Sequence, residues 1–174
     1  LSLPYLAFIE AIRSYVLSRP ADALRDELGP GAPDVARIVS EIRDKLDVEL
    51  RSGPGGEEDR WRLLSAVTGF LAAASRTQPL LIVLEDLHWA DHGTLDLLTH
   101  AARTLTEARV LIVGTYRDVE VDRAHPLSGA LGELQRAGNF GRVPLRGLTA
   151  DEVHRMLNGL TAQEVRWKIG RAHV

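Results

Sequence analysis

Residues 79–91, PLLIVLEDLHWAD, carry the reading that decides the fold. Leu80, Leu81, Ile82, Val83 and Leu84 form an unbroken apolar run, with Pro79 before it and two adjacent carboxylates, Glu85 and Asp86, after it. Such a run, without polar alternation, predicts a strand buried on both faces, as in a parallel sheet. Open parallel sheets place their functional groups at the carboxyl ends of their strands. Two acids at such an end cost free energy unless they meet a metal, a partner group or a water held for chemistry.

Working outward, Asp91 is placed to cap a helix over 93–105 whose apolar positions include Leu95, Leu97 and Leu98. Residues 109–115, RVLIVGT, predict a second buried strand, and residues 126–137 a helix. Residues 142–145 are a short strand candidate, and Thr149 opens a helix, TADEVHRML, with an N-cap and early acids. Upstream, residues 4–18 space Leu6, Phe8, Ile9, Ile12, Tyr15 and Val16 as a helix, and Pro20 and Gly29-Pro30-Gly31 punctuate the chain. Residues 32–46 predict one amphipathic helix through Val35, Ile38, Val39, Ile42 and Leu46. A polar, glycine-rich loop over 51–59 leads into a long helix over 60–76, with Trp61, Leu64, Val67, Phe70 and Leu71 on one stripe. Strands alternating with helices imply the α/β class with a parallel sheet.

The acids carry the chemistry. In nucleoside triphosphatases a buried strand ending in carboxylates holds Mg²⁺ and positions the attacking water, so Glu85-Asp86 is a Walker-B-like signature. Glu85 would bind Mg²⁺, through water because that ion sheds its waters reluctantly, and Asp86 would orient the water. The two roles can be exchanged, and the plainer reading is that both acids cap the following turn. Arg117, in GTYRD, ends the second strand, where a guanidinium could reach a γ-phosphate, with Thr115 bonding the phosphate or the water. The plainer reading pairs Arg117 with Asp118 or Glu120. His88, His92 and His100 raise a zinc site, but HWADH lacks the glutamate of H-E-x-x-H and is not expected to hold one. Trp89 is read as packing. No G-x-S-x-G elbow is present, and the glycines at 29–31 and 53–56 are turns.

A phosphate-binding G-x-x-x-x-G-K-[ST] loop is missing from the sequence: Lys45 lies in a helical pattern and Lys168 in VRWKIG. The remaining composition narrows the classes. A net charge of −3 makes no electrostatic case for nucleic-acid binding, and the absence of cysteine removes disulfides and thiolate metal sites. Its apolar runs are too short to span a bilayer. With no signal peptide visible, the cytoplasm is the expected location. The dominance of arginine over lysine points to GC-rich coding DNA.

These residues together carry a resemblance. LLIVLEDLHWAD followed by TLDLL, then VLIVGTYRDVE, then PLRGLTADEVHRML, resembles the signal-transducing (STAND-type) ATPases, closest to the Orc1-like AAA module of large bacterial regulators. Such regulators often carry a LuxR-type helix-turn-helix or cyclase domains. The resemblance covers most of residues 3–157. It implies a partial P-loop NTPase core of the ASCE/AAA-like kind, a parallel sheet flanked by helices, lacking its P-loop and first strand. By position, Glu85 and Asp86 are the Walker-B acids and Arg117, with Thr115, the sensor. ATP and Mg²⁺ are the implied cofactors. Residues 1–147 would be the partial core, helical over 1–77, with the Walker-B to last-strand segment over 78–147. Residues 148–167 would open a helical lid.

We expect a segment of a longer frame. Leu1 stands where a frame would open on methionine. Residues 169–174, IGRAHV, back-translate to ATC GGA AGA GCA CAC GTC, a widely used short-read sequencing adapter. Residues 168–174 are therefore expected to be adapter-encoded and are kept out of the fold. A natural basic tail is the other reading. The function implied is an ATP/Mg-dependent conformational switch with slow hydrolysis, self-associating or meeting a partner protein, and reaching DNA only through a domain outside this chain. A nucleotide-free interaction scaffold is the alternative. A helicase loader or initiator acting on DNA would need a basic face that is absent here.

Overall fold

The longest helix, α5, Glu57–Thr77, sets the layout. Its first turn carries Glu57, Glu58 and Asp59, acids that suit the positive end of the helix dipole. Its stripe of Leu63, Leu64, Val67, Phe70, Leu71 and Ala74 is buried. The structure, a computed structural model, describes residues 4–51 and 55–160. These fall into two compact units divided between Phe140 and Gly141.

In the first unit, α1, Leu6–Ser18, α2, Ala21–Leu28, α3, Ala32–Val35, and α4, Ser40–Leu46, precede α5. The stripe through residues 32–46 is thus two short helices rather than one. The chain leaves helical geometry at Val39, whose φ of −121° and ψ of 90° are extended, yet Val35, Val39, Ile42 and Leu46 all remain buried. Helix α2 falls between the punctuating prolines and glycines. Its Glu27 is buried and accepts from the Tyr15 hydroxyl at 3.1 Å while pairing with Arg19. Burial together with the Glu27 hydrogen bond pushes the Tyr15 phenol up to about 12.

Strand β1, Leu80–Leu84, and strand β2, Val110–Gly114, pair in parallel, with Leu80 opposite Val110 and Leu84 opposite Gly114. Helix α6, His92–Thr104, makes the crossover between them, and α7, Pro126–Ala137, packs on α6. The result is a small two-stranded parallel sheet flanked by helices. Strand β1 is not buried on both faces. Ile82 and Leu84 enter the core, whereas Leu81 is 65% exposed and Leu111 on β2 is 62% exposed. Successive strand side chains point to opposite faces, and among the described residues the helices cover only one of them. An apolar run cannot distinguish these cases.

Asp91 caps α6. Its carboxylate accepts the Thr94 amide at 3.0 Å, the Thr94 hydroxyl at 2.6 Å and the Tyr5 amide at 3.1 Å, tying the start of α1 to α6. Asp91→Ala is expected to cost about 1–2 kcal/mol of stability, as other cap deletions do, while Asp91→Asn retains most of it. Thermal unfolding of the two variants checks this. Burial pushes the Asp91 carboxyl up, but the hydrogen bonds from Thr94 and Tyr5 outweigh it and hold the group below the usual aspartate range. With the folded value lowered, this contribution is present above the unfolded pKa and is lost as pH falls through the folded one. Asp91→Ala should therefore also flatten the acid limb of the stability curve.

In the second unit, helix α8, Ala150–Leu160, begins at a capping box: Thr149 and Glu152 exchange hydrogen bonds, the Thr149 amide donating to Glu152 at 2.8 Å. The Arg146 guanidinium, with the Thr149 bonds, draws the Glu152 carboxyl down to about 2. The strand candidate at residues 142–145 is not a strand. It joins no ladder, and Leu145 is 90% exposed. Extended backbone needs a neighbour for its amides and carbonyls. The residues read as adapter-encoded lie outside the described residues, as do the last residues of the lid segment.

Candidate functional site

The carboxyl ends of β1 and β2 lie side by side, as parallel pairing dictates, and bring Asp86 next to Thr115, with Glu85 one residue before the first and Arg117 two residues after the second. Backbone bonds sew the two ends together. The Thr115 amide donates to the Leu84 carbonyl at 3.0 Å, and the Leu87 amide donates to the Thr115 carbonyl at 2.8 Å. The Asp86 amide donates to the Thr115 hydroxyl oxygen at 3.1 Å. Gly114 permits this closeness: a Cβ there would collide with the Leu87 side chain.

Asp86 has a φ of 53°, in the left-handed region that aspartate tolerates better than most residues. The turn it opens, Leu87–Trp89, is a short 3₁₀ segment. That turn points the Asp86 carboxylate outward, half exposed. Glu85 is also exposed and makes no hydrogen bond or ion pair with another described residue. The acids are therefore not buried, as a doubly covered strand end would require, because the strand ends open to solvent. Nor does the Asp86 side chain bond the turn as a cap.

Arg117 donates to Glu120 Oε1 at 3.0 Å, the pairing named as its plainer reading, and its guanidinium lies 6.0 Å from the centroid of the Trp89 ring. Trp89 is not interior packing. It is 66% exposed and rests on His88, with ring centroids 4.7 Å apart. Thr115 accepts from Asp86, which leaves its own hydrogen to donate. His88, His92 and His100 do not converge: no cluster able to hold a metal through histidine, cysteine and carboxylate groups occurs among the described residues.

Two residues join the site that the motif did not assign to it. His88 is buried, with Nδ1 3.9 Å from Asp86 and Nε2 3.5 Å from Glu120. Glu120 thus faces both His88 and Arg117. The only hint in the sequence was the spacing of Glu120, three residues after Arg117.

The AAA ATPase domain family matches this chain over residues 1–113, from the first helices through β1 and into β2. The chain belongs to the AAA ATPase domain family. The match includes Glu85 and Asp86 and stops short of Thr115 and Arg117. A curated relative, described as an uncharacterized protein, is from Rhizobium meliloti (strain 1021). It is 30% identical over 130 residues, 75% of this chain and 12% of that protein. The chain thus spans about an eighth of the relative it matches. No solved structure matches.

Members of the family generally bind ATP with Mg²⁺. The donor set of this AAA domain fits a hard cation: carboxylates of Glu85 and Asp86 and the hydroxyl of Thr115, all oxygen and all solvent-facing. Lys45 is engaged elsewhere, donating to the Val16 carbonyl at 2.8 Å near the end of α1. Lys168 lies outside the described residues. No described helix is long and apolar enough to cross a membrane.

Proposed function

We propose that this AAA domain is the nucleotide-responsive module of a bacterial signalling or transcriptional regulator of the STAND-type, Orc1-like kind. ATP and Mg²⁺ would hold one conformation, and slow hydrolysis would reset it. The observation that carries this reading is the juxtaposition of Asp86 with Thr115 at the paired strand ends, where Glu85 and Arg117 also lie. Glu85 and Asp86 would hold Mg²⁺, which neutralises charge on the phosphates, and one of them would orient the attacking water. Arg117, exposed and held among the described residues by Glu120 and the face of Trp89, could turn toward a γ-phosphate. Residues 148–167 would form the start of the lid, and the phosphate loop would be supplied by residues outside 1–174. Partner proteins, self-association, a DNA-binding output domain and a cytoplasmic location belong to the same proposal.

The test is ATP binding and turnover by the intact regulator. Turnover that needs Mg²⁺ and falls with Arg117→Ala supports the module as a switch. An intact protein that neither binds nor turns over ATP would favour the scaffold reading instead.

A further inference from the structure

Among the described residues, His88 is a buried polar side chain at this site left without a hydrogen bond. Its side chain is 1% exposed, and neither ring nitrogen makes a hydrogen bond. A buried polar group left unmet costs free energy, so its place needs a reason. Both nitrogens face carboxylates, and the two carboxylates belong to different strand ends. Nδ1 looks at Asp86 of the turn after β1, and Nε2 looks at Glu120 of the turn after β2. Glu120 in turn holds Arg117.

We propose that His88 is a positioning residue that couples Asp86 to Arg117 through Glu120. The ring lies between the two carboxylates, and a shift of the ring that closes the gap to one does not close the gap to the other. Both gaps, 3.5 and 3.9 Å, are longer than a hydrogen bond and can be closed by a small movement of either turn. When Asp86 is drawn to another partner, the ring is released to Glu120, and Glu120 then divides its oxygens between His88 and Arg117. When Asp86 holds the ring, Glu120 is left to Arg117 alone. The state of the acid after β1 is thereby communicated to the arginine after β2 without movement of the sheet. The geometry stands without nucleotide. Its consequence for ATP rests on the reading given under Proposed function.

The experiment is a mutant cycle on the intact regulator without nucleotide, read by amide hydrogen exchange at Glu120 and Val121. These amides donate to the carbonyls of Arg117 and Asp118. Asp86→Asn is expected to change their exchange by about twofold or more, the lower end of coupling within one charged network. In a His88→Phe background that response should vanish, and in a His88→Gln background, which keeps a donor and an acceptor, it should return. If His88→Phe does not fold, Glu120→Ala breaks the same link from the exposed side and should also abolish the response. A response to Asp86→Asn that persists in His88→Phe or Glu120→Ala, or that is absent from the unaltered chain, overturns the proposal. ATP binding by the intact regulator separates the two readings. Coupling without ATP binding sinks only the nucleotide reading, and ATP binding without coupling sinks only the role of His88.

Discussion

Replacing Asp86 by asparagine is expected to lower ATP turnover by the intact regulator about 100- to 1,000-fold, the scale lost when one preorganised electrostatic group is removed from a transition state. The substitution is clean for structural reasons. Asparagine tolerates the left-handed backbone that Asp86 adopts at φ 53°. The contact with Thr115 uses the backbone amide and survives the change. What is lost is a half-exposed charge at the end of β1, so thermal stability should move little while turnover collapses. Glu85→Gln is the companion variant. Whichever substitution spares ATP binding while stopping turnover marks the residue that positions water, and the other marks the Mg²⁺ ligand. Turnover unchanged in both variants would remove these acids from the chemistry.

Phe70→Ala is expected to destabilise the first unit by about 3–5 kcal/mol, the usual cost of emptying a buried aromatic site. Phe70 is fully buried on α5, edge-on to Tyr15 of α1 with centroids 5.8 Å apart. Tyr15 is itself anchored by Glu27 of α2. Removing the ring thus undercuts the packing that joins three helices. Against a typical total of about 5–15 kcal/mol, the loss is a large fraction of the stability. Denaturant unfolding should show an earlier midpoint, and Phe70→Leu, which keeps most of the volume, should recover the greater part. Equal effects of the two substitutions would mean that Phe70 does not fill the core as described.

The elements read correctly from sequence are those with a complete local signal. Helices α5, α6 and α7 have apolar stripes at helical spacing. The acid cap at Asp91 and the proline at the start of α7 mark their entries, and the run before Glu85 could be only a strand or a buried helix. Helix α2 was missed because it buries little apolar surface, Leu24 and Leu28, beside a charged residue, Glu27, whose partners are Tyr15 on α1 and Arg19 just after it. The break before Val39 contains neither glycine nor proline, so nothing local announces it. The exposure of Leu81, Val83, Leu111 and Val113 depends on what lies over the sheet, which a residue's own identity does not encode. The same division holds at the site. Glu85, Asp86, Thr115 and Arg117 were visible as strand-end residues. The bond from Asp86 to Thr115, and the place of His88 between Asp86 and Glu120, follow from the pairing of β1 with β2 and from the 3₁₀ turn, and they become visible only in three dimensions.

The central claim is that Glu85 and Asp86 hold the divalent cation of a nucleotide complex. Mn²⁺ shares the preference of Mg²⁺ for oxygen donors and is visible by electron paramagnetic resonance. The most direct measurement is therefore Mn²⁺ binding by the intact regulator with and without ATP, repeated in a Glu85→Gln/Asp86→Asn double variant. The account predicts uptake of Mn²⁺ that depends on ATP and is weakened at least about tenfold in the variant, the loss typical of removing groups around a bound metal. ATP-dependent uptake that is the same in the variant, or no uptake at all by the unaltered protein, would contradict it.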